Sequence, residues 1–301
     1  MNLRDLEYIC AVADLGHFGQ AATRCHVSQP TLSGQIRKLE DHLGVELFER
    51  TNRTVRLTPV GERIVTVARA VLASAREIEQ IAESERDPES GTIRLGMIPT
   101  IAPYLIPILM GPLQERFPSL RLVLVEDTTD ALLAALAAGD LEASVIATRP
   151  DDPSLVVLPL YREPFWFALP EKHPRAKSRR VHASGLDPSE LLLLTDGHCL
   201  RDQALDVCGA TAGSHRADTA ATSLETLVNL VAAGHGITLV PSLALGVAKR
   251  AQRVVVRPAD TPDAERLVRL VHRPSFPYAA LLRRLAAVAR DALPREVNPV
   301  R

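Results

Sequence analysis

Through the N-terminal third of the chain apolar residues recur every three or four positions; beyond it, short apolar runs alternate with helical stretches. Leu3, Leu6, Cys10 and Ala13 share one helical face, Asn2 and Asp5 are placed to cap its start, and Gly16 ends it. This predicts a helix from about Leu3 to Leu15. A second short helix covers Phe18 to Arg24, with Phe18, Ala21, Ala22 and Cys25 apolar. After the break at His26-Val27, Ser28 is a good N-cap, and Pro30 is tolerated only in a first turn. The third helix then runs to Leu43, before Gly44, with Leu32, Ile36, Leu39 and Leu43 pointing inward. That leaves Pro30, Gly34, Arg37 and Lys38 facing out, with Thr31, Ser33 and Gln35 on the flanks. Two extended segments, Leu47–Arg50 and Thr54–Thr58, flank a turn at Thr51-Asn52-Arg53. The pattern is an all-α helix-turn-helix carrying a wing.

Pro59 opens a longer helix with Ile64, Val67, Val71, Ser74, Ile78 and Ile81 at alternating steps of three and four. A seam of that period pairs with a partner helix, so residues 59–90 read as a dimerisation linker and hinge, closed by Arg86-Asp87-Pro88-Glu89-Ser90-Gly91. Strands are then expected at Ile93–Ile98, Leu120–Glu126, Ala143–Ala147, 156–161, 164–169, 191–195, 237–240, 253–256 and 266–272. Helices are expected at Ala102–Phe117, Thr129–Ala138 and near 199–207, 223–233 and 277–292, with Thr222 and Glu225 forming a capping box. This alternation predicts an α/β module of parallel sheets with helices on both faces. Two hinged α/β subdomains suit 301 residues better than one large sheet.

Composition narrows the class only slightly. With 46% hydrophobic and 24% charged residues the chain is neither disordered nor low in complexity. Lys and Arg total 35 against 36 acidic residues, and residues 1–58 hold seven of each sign, so charge alone does not mark a nucleic-acid binder. The opening stretch lacks the basic start and apolar run of a signal peptide, and no apolar run approaches bilayer length; a cytoplasmic protein is expected. Four scattered cysteines without a CxxC pair argue against a disulfide scaffold or a zinc site, and no metal or cofactor is expected.

A helix that enters the major groove needs short polar or basic residues outward and a firm apolar back. Gln29, Thr31, Ser33 and Arg37 meet that need on the third helix, and outward-facing Pro30 and Lys38 join them as DNA-contact candidates. Arg50, Arg53 and Arg56 surround the wing, where phosphates or the minor groove would be reached. Each taken singly is equally well a solvated polar position. The stretch AATRCHVSQPTLSGQIRKLEDHLGVELFERTNRTVRLTPVG closely resembles the winged helix-turn-helix of LysR-type transcription regulators. The resemblance implies a promoter-DNA-binding head at 1–58, a dimerising linker at 59–90 and an effector module at 91–301. It also implies that the effector module divides into two Rossmann-like, periplasmic-binding-protein-like subdomains, about 91–163 with 268–301 and 164–267.

The segment Leu194-Thr195-Asp196-Gly197-His198-Cys199-Leu200-Arg201-Asp202-Gln203-Ala204 carries the chemistry. Asp196-Gly197 turns the chain after a strand, so Cys199 is expected at a helix N-terminus with His198 and Arg201 nearby. All three would favour the thiolate. Cys208 lies nine positions on; in a continuous helix the two Cα atoms would be about 13.5 Å apart. A disulfide tolerates about 7 Å, so joining the two would require the helix to unwind. The plain alternative is two small buried apolar residues, the usual state of free cysteines. Cys10 and Cys25 are assigned to the core of the head.

DGHCLRDQAL further resembles the redox loop of the peroxide-sensing members of the LysR family, as do IPT at 98–100, ATSLETL at 221–227 and AAGHGITLVP at 232–241. The resemblance implies that Cys199 is the peroxidatic residue and Cys208 its resolving partner. Thr100, Thr129, His198 and Asp202 would form the polar peroxide pocket, with Arg266 as the charged partner near the thiolate. Thr100 and Thr129 equally suit simple helix caps. The resemblance also implies hydrogen peroxide as signal, activation of promoters by a homotetramer built from dimers, and contacts with RNA polymerase and a thiol reductant such as glutaredoxin. Two other readings stand beside it: a regulator induced by a small metabolite bound between the subdomains, and a thiol peroxidase.

Overall fold

The computed structural model describes residues 1–50, 55–87, 89–209 and 220–300; side chains are not described for Arg50, Gln80 and residues 83–86. The chain forms two compact units that divide within one long helix, near Glu83–Ser84.

In the first unit, α1 (Leu3–Leu15), α2 (Phe18–Arg24) and α3 (Gln29–Leu43) precede a short hairpin, β1 (Phe48–Arg50) and β2 (Val55–Leu57), and α4 (Pro59–Arg86). The caps do what the sequence asks of them. The Asn2 side chain accepts from the Asp5 amide while Asp5 reaches back to the Asn2 amide. Gly16 closes α1 in the left-handed conformation. Ser28 caps α3 through the Thr31 amide, and Thr58 caps α4 through the Gly61 amide. One cap was not expected: His17 Nδ1 accepts from the amides of Gly19 and Gln20 at the start of α2. Leu6, Ile9, Val12, Leu32, Ile36, Leu39, Leu47 and Phe48 form the core, joined by Val65 and Ala68 of α4. Leu3, expected inside, is exposed because α1 turns Ile9 and Val12 inward instead; Cys10 is buried and Cys25 only half-buried. Asp14 ties three helices together, accepting from Arg24 at 2.9 Å and from Arg69 at 2.5 Å. On α4, Val67 and Ile78 stay 63% and 69% exposed, leaving the predicted seam uncovered within this chain.

The second unit contains β3 (Gly91–Met97), α5 (Ala102–Arg116), β4 (Leu120–Glu126), α6 (Thr129–Ala137), β5 (Ala143–Ile146) and β6 (Val156–Pro170). These are followed by β7 (Leu193–Leu194), α7 (Cys199–Cys208), β8 (Ala220–Ala221), α8 (Leu224–Ala232), β9 (Thr238–Pro241) and α9 (Leu245–Arg250). The last elements are β10 (Val254–Pro258), β11 (Glu265–His272), α10 (Ala279–Ala292) and β12 (Asn298–Pro299). Three expectations are corrected. The sheet is mixed rather than parallel: β3 runs parallel to β4 and β5, whereas β11 is antiparallel to both β5 and β6. The two strands expected at 156–161 and 164–169 are one long strand, β6. Pro164, inside it, sits opposite Glu265 at the end of the β11 ladder, where a missing N–H costs little. At α8 the N-cap is Ser223, accepting from the Thr226 amide, not Thr222.

Two apolar cores lie in this unit. One gathers Ile93, Leu95, Met97, Leu105, Leu109, Leu136, Val145, Tyr161, Val268, Val271 and Leu282. The other gathers Phe165, Phe167, Leu169, Leu191 to Leu194, Leu200, Leu205, Leu227, Val231, Leu239 and Val240. Strand β6 feeds both, with Tyr161 in the first and Phe165 in the second. Residues of β6 near Glu163 therefore sit at the changeover between the two cores.

Candidate functional site

Cys199 opens α7, and the local chain explains why. Gly197 turns at φ 89°, a conformation open mainly to glycine, and His198 follows in extended conformation as the N-cap. Leu200, Ala204 and Leu205 then bury their side chains in the second core at helical spacing. The Cys199 side chain packs with the first core. The thiol thus sits where the two halves meet, and it is almost fully buried.

A narrow pocket lies beside it, lined by Ile98, Pro99, Thr100, Thr128, Thr129, Gly197, His198 and Cys199, with no room for a water-sized molecule in this conformation. A site this tight has no space for a drug-sized ligand, whose pockets are usually about 300–1,000 Å³. Thr100 is not a helix cap. Its hydroxyl accepts from Arg266 Nη1 at 2.9 Å, and its carbonyl accepts from Nη2 at 2.9 Å. Nor does Thr129 cap: its Oγ1 is buried with no nitrogen or oxygen partner, and it acts on the Cys199 thiol, favouring the anion.

Arg266 owes its place to the sheet. It stands opposite Glu163 in the β11–β6 register, and its Nε donates to Glu163 Oε2 at 2.8 Å. The other carboxylate oxygen accepts from the Leu243 amide at 2.7 Å. Both charged residues are buried, and a buried ion pair persists only when its remaining hydrogen-bonding groups are met in this way.

The electrostatics differ from the sequence expectation. Burial pushes the Cys199 thiol up from its ordinary value. The Arg266 guanidinium is the largest opposing influence, then the Thr129 hydroxyl; Asp202 adds to the upward push, and the backbone at the helix start opposes it. The resting group is a thiol because burial outweighs the opposing influences, and the two cations proposed from sequence are not among them. Burial lowers the pKa of His198, which stays neutral. Arg201 turns away, its Nε pairing with Asp196 at 2.9 Å and its Nη1 donating to the Leu194 carbonyl. Asp202 is exposed and does not line the pocket. Cys208 ends α7 half-buried, its thiol pushed up to about 11 by burial. Both cysteines are free, and the helix between them is continuous. Nine rises of about 1.5 Å keep the Cα atoms about 13.5 Å apart.

In the head, Gln29, Pro30, Thr31, Arg37 and Lys38 are exposed on α3, Ser33 is half-buried, and Arg56 is exposed on β2. His26 adopts a positive φ of 55° in the turn that redirects the chain between α2 and α3. Arg53 lies outside the described residues, as does the side chain of Arg50. Among the described residues no cluster of histidine, cysteine and carboxylate side chains could hold a metal ion, and no helix is long and apolar enough to cross a membrane.

Comparison with known proteins agrees with both halves of this picture. Residues 3–62 match the bacterial regulatory helix-turn-helix protein of the lysR family, and residues 86–294 match the LysR substrate binding domain. The chain belongs to the LysR family. Within that family it is 44% identical to the DNA-binding transcriptional dual regulator OxyR of Escherichia coli K12, over 96% of this chain and 95% of that protein. It is 41% identical to a probable hydrogen peroxide-inducible genes activator of Mycobacterium avium, over 97% of this chain and 94% of that one. Among solved structures it resembles a full-length cysteine-to-aspartate OxyR variant from Pseudomonas aeruginosa, with TM-score 0.77, 38% identity, and coverage of 96% and 95%. It also resembles a Corynebacterium glutamicum OxyR cysteine mutant with hydrogen peroxide bound, with TM-score 0.67, 35% identity, and coverage of 97% and 92%.

The LysR-type fold thus brings Cys199, Thr100, Thr129 and His198 around one pocket with Arg266 behind Thr100, and leaves Asp202 and Cys208 outside it. Sequence reasoning missed Glu163. Its neighbours Arg162 and Pro164 carry no local signal, and only the pairing of β6 with β11 shows what it faces.

Proposed function

We propose that this LysR-family chain is a DNA-binding transcription activator that responds to hydrogen peroxide through Cys199. The observation that carries the reading is the site itself: a nearly buried thiol at a helix start, beside the buried Thr129 hydroxyl that acts on it and within the field of Arg266. Its lining is too tight for a metabolite-sized ligand, which favours the smallest oxidants. Deprotonated Cys199 attacks one peroxide oxygen; the O–O bond breaks, sulfenic acid forms, and the second oxygen leaves as water after taking a proton. Thr100 and Thr129 orient the peroxide, and His198 and Asp202 border the route of the proton. Arg266 stabilises the thiolate. The Cys208 thiol then condenses with the sulfenic acid to give a disulfide and a second water, which demands that α7 come apart. Reduction by a thiol donor such as glutaredoxin resets the switch.

The working division is a winged helix-turn-helix at 1–58, a linker at 59–90 and a regulatory module at 91–301, split into about 91–163 with 268–301 and 164–267. Gln29, Pro30, Thr31, Ser33, Arg37, Lys38, Arg50 and Arg53 contact promoter DNA. The uncovered α4 seam supports a dimer, and two dimers make the tetramer that reads an extended site and meets RNA polymerase in the cytoplasm. The chain acts as a regulator rather than an enzyme, so peroxide consumption ends once the disulfide has formed.

Replacing Cys199 by serine tests this. The variant is expected to keep promoter binding and to lose any peroxide-dependent change in the footprint. A footprint that still responds would remove Cys199 as the sensor, and sustained peroxide turnover driven by a thiol donor would favour a peroxidase.

A further inference from the structure

Arg266 brings a positive charge near the thiol, but most of its bonding capacity is already committed. A guanidinium has five N–H donors. In this protein Nε serves Glu163, Nη1 serves the Thr100 hydroxyl, and Nη2 serves the Thr100 carbonyl while lying 2.8 Å from Glu163 Oε2. One N–H of Nη1 remains beyond these. Glu163 is equally committed: one oxygen holds Arg266, and the other holds the Leu243 amide in the turn that follows β9. With 0% of its surface exposed, Glu163 sits where solvent screens it least.

We propose that Glu163 is a positioning residue for the sensing thiol, fixing the Arg266 guanidinium against Thr100 and offsetting the charge with which it draws on Cys199. Three features carry this. The sheet register sets Glu163 directly opposite Arg266, so the pair is built into the β-ladder rather than found by long, mobile side chains. The carboxylate is anchored on its far side, so it cannot swing away when Arg266 is called on by an anion. Thr100, the acceptor of two Arg266 donors, also lines the pocket, so the position of the cation and the shape of the pocket are set together. The expected consequence is counterintuitive. Removing the negative charge, which lies outside the pocket lining, should make Cys199 more reactive, because the uncompensated guanidinium then pulls harder on the thiolate.

This inference rests on the reading of Cys199 as the reactive thiol, and its test is independent of peroxide. The full-length protein is alkylated with iodoacetamide across a pH series, and the Cys199 peptide is followed by mass spectrometry. Glu163→Gln keeps the shape and an acceptor oxygen but not the charge. It is expected to alkylate roughly three- to tenfold faster than wild type at pH 7, with the pH midpoint moved to lower pH. Glu163→Asp keeps the charge and is expected to stay near wild type. The pair Arg266→Gln and Glu163→Gln/Arg266→Gln shows whether the effect runs through Arg266. Should a single variant misfold, the double variant decides the matter, since replacing both members of a buried ion pair is often tolerated. Its midpoint should stay near wild type, and a midpoint moved well to higher pH overturns the proposal. Without Arg266, removing the Glu163 charge should move the midpoint far less than it does with Arg266 present. An unchanged midpoint in Glu163→Gln, or one moved to higher pH, overturns the proposal; so does an equal shift with and without Arg266. Failure of the sensor reading looks different: wild-type Cys199 would form no sulfenic acid with peroxide, whatever the alkylation profile.

Discussion

If Cys199 and Cys208 can be joined only by dismantling α7, the stability of that helix must enter the redox potential of the pair. Asp206 offers a clean lever. It is exposed in the last turn of α7, where a carboxylate faces the negative end of the helix dipole. Ala at this position should stabilise the helical, reduced form by about 1 kcal/mol, summing propensity and the removal of the unfavourable charge. Gly should be about 1 kcal/mol worse than Ala in the same helix. For a two-electron couple, about 1.4 kcal/mol corresponds to about 30 mV. Asp206→Ala should therefore be the easier protein to reduce, and its midpoint potential should lie about 20 mV above that of Asp206→Gly. The assay is a glutathione redox titration read by mass spectrometry of the 199–208 peptide, with thermal melts of the reduced proteins to confirm the order of stability. Dismantling also uncovers Leu200 and Leu205, each worth about 1.5–3 kcal/mol of burial, so the helix is not a trivial barrier. Equal potentials in the two variants, or Gly above Ala, would refute the idea that the helix must be lost before the bond can form.

Two further outcomes follow from the same geometry. Arg37→Ala and Lys38→Ala should each weaken promoter binding across all sequences and reduce the slope of log K against log salt by about one if the residue neutralises one phosphate. His272 is buried, with Nδ1 bonded to the Arg273 carbonyl at 2.7 Å, and burial lowers its pKa, so the folded protein binds this proton later than the unfolded chain does. Its contribution to stability is complete above the unfolded value of about 6.5 and is lost as pH falls below it, so Tm should fall with acid less steeply in His272→Gln than in wild type.

Local structure was largely legible before the fold was known. The capping of α1 by Asn2 and Asp5, the stop at Gly16, the Ser28 cap and the inward face Leu32, Ile36 and Leu39 all depend on contacts within a few residues. The position of Cys199 at a helix start depends likewise on the turn at Asp196-Gly197 and on the apolar spacing of α7. Its ionisation was misjudged for a related reason. Closeness in sequence suggested His198 and Arg201 as cations, yet side chains adjacent on a helix start point in different directions, and Arg201 found Asp196.

The sequence by itself determined the head, its recognition helix, the linker seam and the place of both cysteines, because capping, helical periodicity and turn chemistry act over a few residues. Tertiary structure alone decided the mixed sheet, the single long β6, the buried pairing of Glu163 with Arg266 and the resting protonation of Cys199. Those follow from strand register between residues about a hundred positions apart and from the burial that the pairing creates. No window along the chain contains them.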